Sequence, residues 1–127
     1  MTFFLTLKLE DETATAALAQ KVSRQLQSGD VVFLSGDLGA GKTAFARGLA
    51  RGYGYEGRVT SPTFTIFNIY EGDTEIRHFD LYRVNTEDEL YDLGFDSFLD
   101  DGVAIVEWYN KFEHLFDKSA VHVKIIK

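Results

Sequence analysis

Eight consecutive residues, Gly36-Asp37-Leu38-Gly39-Ala40-Gly41-Lys42-Thr43, constrain this chain more than any other feature. They have the spacing G-x-x-x-x-G-K-[ST], and they follow Val31 to Leu34, an all-apolar run of the kind that forms strands buried on both faces. The residues after them read as a helix beginning near Lys42, with Phe45, Leu49 and Tyr53 on one side and an end near Gly52 and Gly54. A buried strand, a Gly-rich turn and the start of a helix are what phosphate binding requires. Glycines at 36, 39 and 41 let the backbone curl until successive N–H groups converge on a β-phosphate. The helix start adds its positive dipole end. Lys42 is placed to reach the β- and γ-phosphates, and the Thr43 hydroxyl to bind Mg2+.

The rest of the chain supplies the elements that such a loop needs. Phe3, Leu5, Leu7 and Leu9 alternate with Phe4, Thr6 and Lys8, a strand pattern. Ala14, Leu18, Val22 and Leu26 recur every four residues and predict an amphipathic helix, with Glu10, Asp11 and Glu12 at its positive end and Gly29 as its stop. Phe64 to Tyr70 and Glu75 to Phe79 flank Glu71-Gly72-Asp73-Thr74 and read as a hairpin. Thr86 with Glu89 forms a capping box for a short helix that Gly94 ends. Val103 to Val106 is a second all-apolar strand, and Val121, Val123 and Ile125 predict a last one. Strands alternating with helices around two buried strands predict a three-layer α/β P-loop NTPase fold, its sheet mainly parallel with an antiparallel hairpin, as a single domain over 1–127.

Composition excludes several functions. The absence of Cys removes a disulfide framework, a thiolate zinc site and a cysteine nucleophile. No apolar run approaches the ~20 residues of a membrane span, and no basic region precedes the first apolar stretch, so a cytoplasmic protein is expected. The net charge of −7 argues against a free-standing nucleic-acid binder. The acid is concentrated: residues 71–101 hold 11 acidic side chains and only Arg77 and Arg83, a net −9, which leaves +2 on the remainder. This acidic face is expected to dock a protein partner that itself handles any nucleic acid.

A P-loop enzyme needs a strand-end acid to hold Mg2+ directly or through water. Glu107 follows Val103-Ala104-Ile105-Val106, the form of a Walker B strand, and Asp80 follows Ile76-Arg77-His78-Phe79. Glu107 is the favoured metal residue. Asp80 is either a second metal residue, an aid to the attacking water, or a solvated strand-end acid. Thr60-Ser61-Pro62-Thr63 carries the only proline, which stiffens a hydroxyl-rich loop. That loop is either a γ-phosphate sensor or a structural turn. Trp108 reads first as core, with a nucleotide-side wall and a partner anchor as the alternatives. His78 reads as a satisfied interior histidine, and Arg47, Arg51 and Arg58 as solvated surface.

Taken in order, the Gly36–Thr43 loop, Arg47-Gly48-Leu49, Thr60-Ser61-Pro62-Thr63-Phe64, His78-Phe79-Asp80-Leu81-Tyr82-Arg83, Leu93-Gly94 and Glu107-Trp108 resemble the TsaE (YjeE) family from the first strand to about Trp108. The resemblance implies a Mg2+-dependent P-loop ATPase that supports bacterial synthesis of threonylcarbamoyladenosine in tRNA, at the adenosine just 3′ of the anticodon. It implies work with the TsaB–TsaD pair, in which TsaD holds the transferase chemistry and ATP hydrolysis supports repeated turnover. Carried across by motif, Gly36, Asp37, Leu38, Gly39, Ala40, Gly41, Lys42 and Thr43 bind the phosphates, and Thr43 and Glu107 bind Mg2+. Asp80 joins the active site, Thr63 the switch-like loop, and Asp11 the adenine pocket.

Two departures stand out. Where the family shows a small residue, an acid and Arg or Lys after Glu-Trp, this chain has Tyr109, Asn110 and Lys111. The family also continues beyond the last strand, whereas this sequence stops at Lys127, so the far wall of the base pocket or a sheet edge is expected to be missing or built differently. Other classes compete. Asn110-Lys111-Phe112-Glu113 resembles the N-K-x-D guanine reader of GTPases, but no Asp-x-x-Gly occurs in the chain. A small-molecule kinase needs a substrate pocket and an Arg-bearing lid, for which the length leaves little room. A non-catalytic module would use the nucleotide only to set its shape. With no arginine finger placed by the sequence, slow turnover without partners is expected.

Overall fold

A computed structural model of the chain describes residues 2–8, 11–36, 39–62, 65–94, 102–115 and 120–126. Its strands are β1 (Thr2–Lys8), β2 (Val31–Gly36), β3 (Phe67–Glu71), β4 (Glu75–Asp80), β5 (Val103–Glu107) and β6 (Ala120–Ile126). Its α-helices are α1 (Glu12–Ser23), α2 (Gly39–Gly52) and α3 (Glu87–Asp92), with a 3-10 turn at Glu113–Leu115. The strands form one sheet in the order β1-β6-β2-β5-β4-β3. All neighbours are parallel except β3, which runs antiparallel to β4 across the expected hairpin. The carboxyl ends of β2, β5 and β4 therefore share one edge, where open α/β sheets bind their ligands.

Burial on both faces gives three layers, as the two all-apolar strands require. On one face Val32, Leu34, Ile76, Val103, Ile105, Val123 and Ile125 pack with Phe45, Ala46, Leu49 and Ala50 of α2 and Ala19 of α1. On the other, Val31, Phe33, Phe79, Ala104 and Val106 pack with Leu90 of α3 and with Leu81, Val84 and Phe112. The hydroxyl of Thr86 accepts from the Glu89 N–H at 3.2 Å, so the cap of α3 is as expected.

Three expectations shift. The face of α1 that points inward carries Thr15, Ala19 and Ser23, whereas Leu18 is 37% exposed. The cause is the close approach of α2: a Cβ on Gly48 would run into the Ala16 carbonyl oxygen, and one on Gly52 into the Ser23 hydroxyl. Only the small side of α1 fits there, and Val22 and Leu26 pack at its margin. Next, α2 begins at Gly39 rather than near Lys42. Finally, β3 starts at Phe67, because Ile66 turns the chain with φ 71° and donates its N–H to the Pro62 carbonyl at 2.8 Å. Phe64, the expected first residue, lies outside the described residues.

Candidate active site

Gly36 closes β2 with φ 149°, and a Cβ there would meet the Ile125 carbonyl oxygen of β6. Only glycine fits where the chain leaves the sheet beside that strand. The first two turns of α2 follow and carry Gly41, Lys42 and Thr43, with Lys42 buried and Thr43 half-buried. Asp37 and Leu38 lie outside the described residues, as does Thr63, and the backbone of Gly39 and Ala40 lies in the first turn of α2.

Strand pairing sets Asp80 of β4 opposite Glu107 of β5, so both acids stand at the shared edge. Both are 4% exposed. The two strands put Ile76, His78 and Asp80 on the sheet face that also carries Val103, Ile105 and Glu107, the face covered by α2. Lys42 thereby meets Glu107: its Nζ lies 3.2 Å from Oε1. The second carboxylate oxygen, Oε2, lies 2.6 Å from Nε2 of fully buried His78. Burial pushes the Glu107 pKa up, but the hydrogen bond and charge of His78, and after them those of Lys42, outweigh it and hold the carboxyl below its ordinary value. A buried carboxylate with a partner on each oxygen is a fixed negative charge.

Asp80 is tied differently. Its Oδ1 accepts from the Tyr82 N–H at 3.0 Å, and its own N–H donates to the Ile66 carbonyl at 2.7 Å. Asp11 caps α1, accepting from the Thr13 N–H at 2.8 Å. Trp108 is a correction. It is 51% exposed, takes φ 56°, and turns out of the core directly after β5, against Tyr82 with ring centroids 4.9 Å apart. The Lys42 ammonium lies 5.4 Å from the centre of its ring, within cation–π range.

A cavity of about 290 Å³ opens beside Lys42, lined by Ser35 and Gly36 of β2, Lys124 of β6, and Trp108, Tyr109 and Asn110. Tyr109 and Asn110 are the residues that depart from the family pattern. His78 and Lys124 are the members of this region that motif spacing did not single out for function, and only the adjacency of His78 to Asp80 in one motif hinted at either. Tyr109 and Asn110 stood out in the sequence as the departure after Glu107-Trp108. Among the described residues no group of three or more His, Asp or Glu side chains could cage a metal ion. One hydroxyl and one or two carboxylates beside a phosphate loop do suit Mg2+, which keeps waters and takes much of its shell from substrate phosphates.

Comparison with known proteins agrees with this architecture. The family described as "Threonylcarbamoyl adenosine biosynthesis protein TsaE" matches residues 9–127. A Rickettsia felis protein named tRNA threonylcarbamoyladenosine biosynthesis protein TsaE is 36% identical over 121 residues, covering 94% of this chain and 71% of that one. The Synechocystis protein of the same name is 43% identical over 122 residues, or 91% and 74% of the two chains. A crystal structure of Bacillus subtilis YdiB superposes with a TM-score of 0.65 at 36% identity, covering 84% of this chain. This chain spans 65% of the length of YdiB.

Proposed function

The chain belongs to the TsaE family of threonylcarbamoyladenosine biosynthesis proteins, and on that premise we propose that it is a Mg2+-dependent ATPase acting with TsaB and TsaD in the modification of tRNA. Family membership and the phosphate loop make it a nucleotide-binding protein; ATP, Mg2+ and the two partners are the proposal. The observation that carries it is the convergence of Lys42 and Glu107, 3.2 Å apart at the carboxyl edge of adjacent parallel strands.

In this reading the backbone from Gly36 to Thr43, with Asp37, Leu38, Gly39, Ala40 and Gly41, cradles the phosphates. Lys42 exchanges Glu107 for a phosphate oxygen, a short swing for an ammonium on a flexible stem. Thr43 and Glu107 would hold Mg2+, with Asp80 beside them. The bound ion supplies charge neutralisation at the β- and γ-phosphates. Asp80, fixed by its bond from Tyr82, orients the water or completes the shell. Thr63 belongs to the loop that senses the γ-phosphate, and Asp11 to the edge of the base site.

The exposed acids of α3, Glu87, Asp88 and Asp92, favour a protein partner over direct contact with tRNA. No helix among the described residues is long and apolar enough to cross a membrane. Lys42→Ala tests the nucleotide reading: ATP binding measured by calorimetry should be lost, and unchanged affinity would remove the phosphate loop from the account.

A further inference from the structure

A chain of hydrogen bonds leads away from Glu107 on the side opposite Lys42. His78 Nε2 meets Glu107 Oε2 at 2.6 Å, and His78 Nδ1 meets the Tyr70 hydroxyl at 3.2 Å. The same hydroxyl lies 3.0 Å from the carbonyl of Thr60, the first residue of the Thr60-Ser61-Pro62 loop. His78 is fully buried and Tyr70 is 3% exposed, whereas Thr60 and Ser61 are exposed. The chain thus runs from the surface loop through the core to the carboxylate.

We propose that Tyr70 and His78 are positioning residues that couple the loop at 60–62 to the orientation of Glu107. This rests on the ATPase reading above and adds to it a route from the loop to the carboxylate. Nε2 faces a carboxylate and therefore donates to it. The single proton of the Tyr70 hydroxyl goes to the Thr60 carbonyl, and the same hydroxyl meets Nδ1 on its other side. Burial raises the Tyr70 pKa, so that proton stays on the oxygen.

The hydroxyl thus holds the loop carbonyl on one side and the imidazole on the other, and bonds in such a chain polarise one another. A shift of the Thr60 carbonyl therefore changes the hold of Tyr70 on Nδ1 and, through the ring, the bond from Nε2 to Glu107. The Thr60 carbonyl is itself held by the Asn68 side-chain amide, which donates to it at 3.2 Å. The other end of the same loop is tied to Asp80, whose N–H donates to Ile66. Both acids of the site are therefore linked to one loop.

The test compares Tyr70→Phe and His78→Gln with Glu107→Gln and Lys42→Ala. ATP affinity, single-turnover hydrolysis, melting temperature and the imidazole 15N resonances of His78 are measured. Tyr70→Phe and His78→Gln should bind ATP within about twofold of the parent yet hydrolyse it about tenfold more slowly, the range seen when partners that orient a metal ligand are removed. Tyr70→Phe should also shift the His78 Nδ1 resonance without nucleotide. Unchanged hydrolysis in both variants while Glu107→Gln is inactive would overturn the proposal. So would a parallel fall of affinity, rate and melting temperature. If His78→Gln does not fold, Tyr70→Phe decides alone. If Lys42→Ala binds ATP normally, the ATPase reading fails separately, and an Nδ1 resonance unmoved by Tyr70→Phe would still overturn the coupling.

Discussion

Glu107 is held from both sides: Oε1 lies 3.2 Å from the Lys42 ammonium and Oε2 lies 2.6 Å from His78 Nε2, with all three side chains buried or nearly so. Three elements meet in this contact, since Lys42 rides on α2, His78 on β4 and Glu107 on β5. The lysine is the group that can leave. Its stem is flexible and it stands at the cavity, whereas His78 has no exposure at all. A phosphate that draws Lys42 away would leave Glu107 anchored by the histidine, with Oε1 turned toward the site.

Trp108 should report that movement. The Lys42 ammonium lies 5.4 Å from its ring centre, and the ring is half exposed. Withdrawal of a cation from an indole face changes its surroundings. Titration with ATP should change the emission of the only Trp in a saturable way, GTP should do so more weakly, and Lys42→Ala should abolish the response. Identical emission with and without saturating ATP would show that the lysine stays where it is.

Acid should weaken the fold through Glu107 in a particular direction. Its folded pKa is depressed, so its stabilising contribution is present in full above its ordinary value of 4.5 and is lost as pH falls through the lower folded value. Urea unfolding of the parent and of Glu107→Gln should therefore differ most above about pH 5 and draw steadily together as pH falls below the ordinary carboxylate range. A stability gap that stays constant, or widens, toward acid would contradict the depressed pKa.

The α1–α2 contact should be intolerant of one added methyl. Gly48→Ala gains up to about 1 kcal/mol of helix propensity, but the new Cβ collides with the Ala16 carbonyl oxygen, and backbone does not give way as a side-chain tip would. Overpacking of this kind costs about 1–3 kcal/mol. Thermal unfolding should show Gly48→Ala to be less stable than the parent. Equal or higher stability would mean that the helices separate without cost.

The legible parts of the molecule were the local ones. The phosphate loop, the two all-apolar strands, the Thr86 cap and the hairpin turn at 71–74 each declare themselves within a few residues. Tyr70, His78 and Glu107 come together only through strand pairing, and no spacing in the chain announces that β4 lies next to β5 in the register that sets Asp80 opposite Glu107. The inward face of α1 departs from the apolar pattern for a different reason. Leu18 and Ala14 are the obvious apolar positions, yet proximity to Gly48 and Gly52 rewards smallness over hydrophobicity. Trp108 leaves the core because a left-handed φ, which costs about 1–2 kcal/mol on a large residue, turns it toward the cavity beside Lys42, and nothing in the surrounding residues signals that turn.

The central claim is that the Lys42–Glu107 site drives threonylcarbamoyladenosine synthesis through ATP hydrolysis. The most direct measurement is modified adenosine formed per TsaD in a reaction reconstituted from this chain, TsaB, TsaD, tRNA and ATP. The parent should give many turnovers, and Lys42→Ala and Glu107→Ala should fall to the level seen when this chain is omitted. Multiple turnovers with both variants, at the parent rate, would contradict the account.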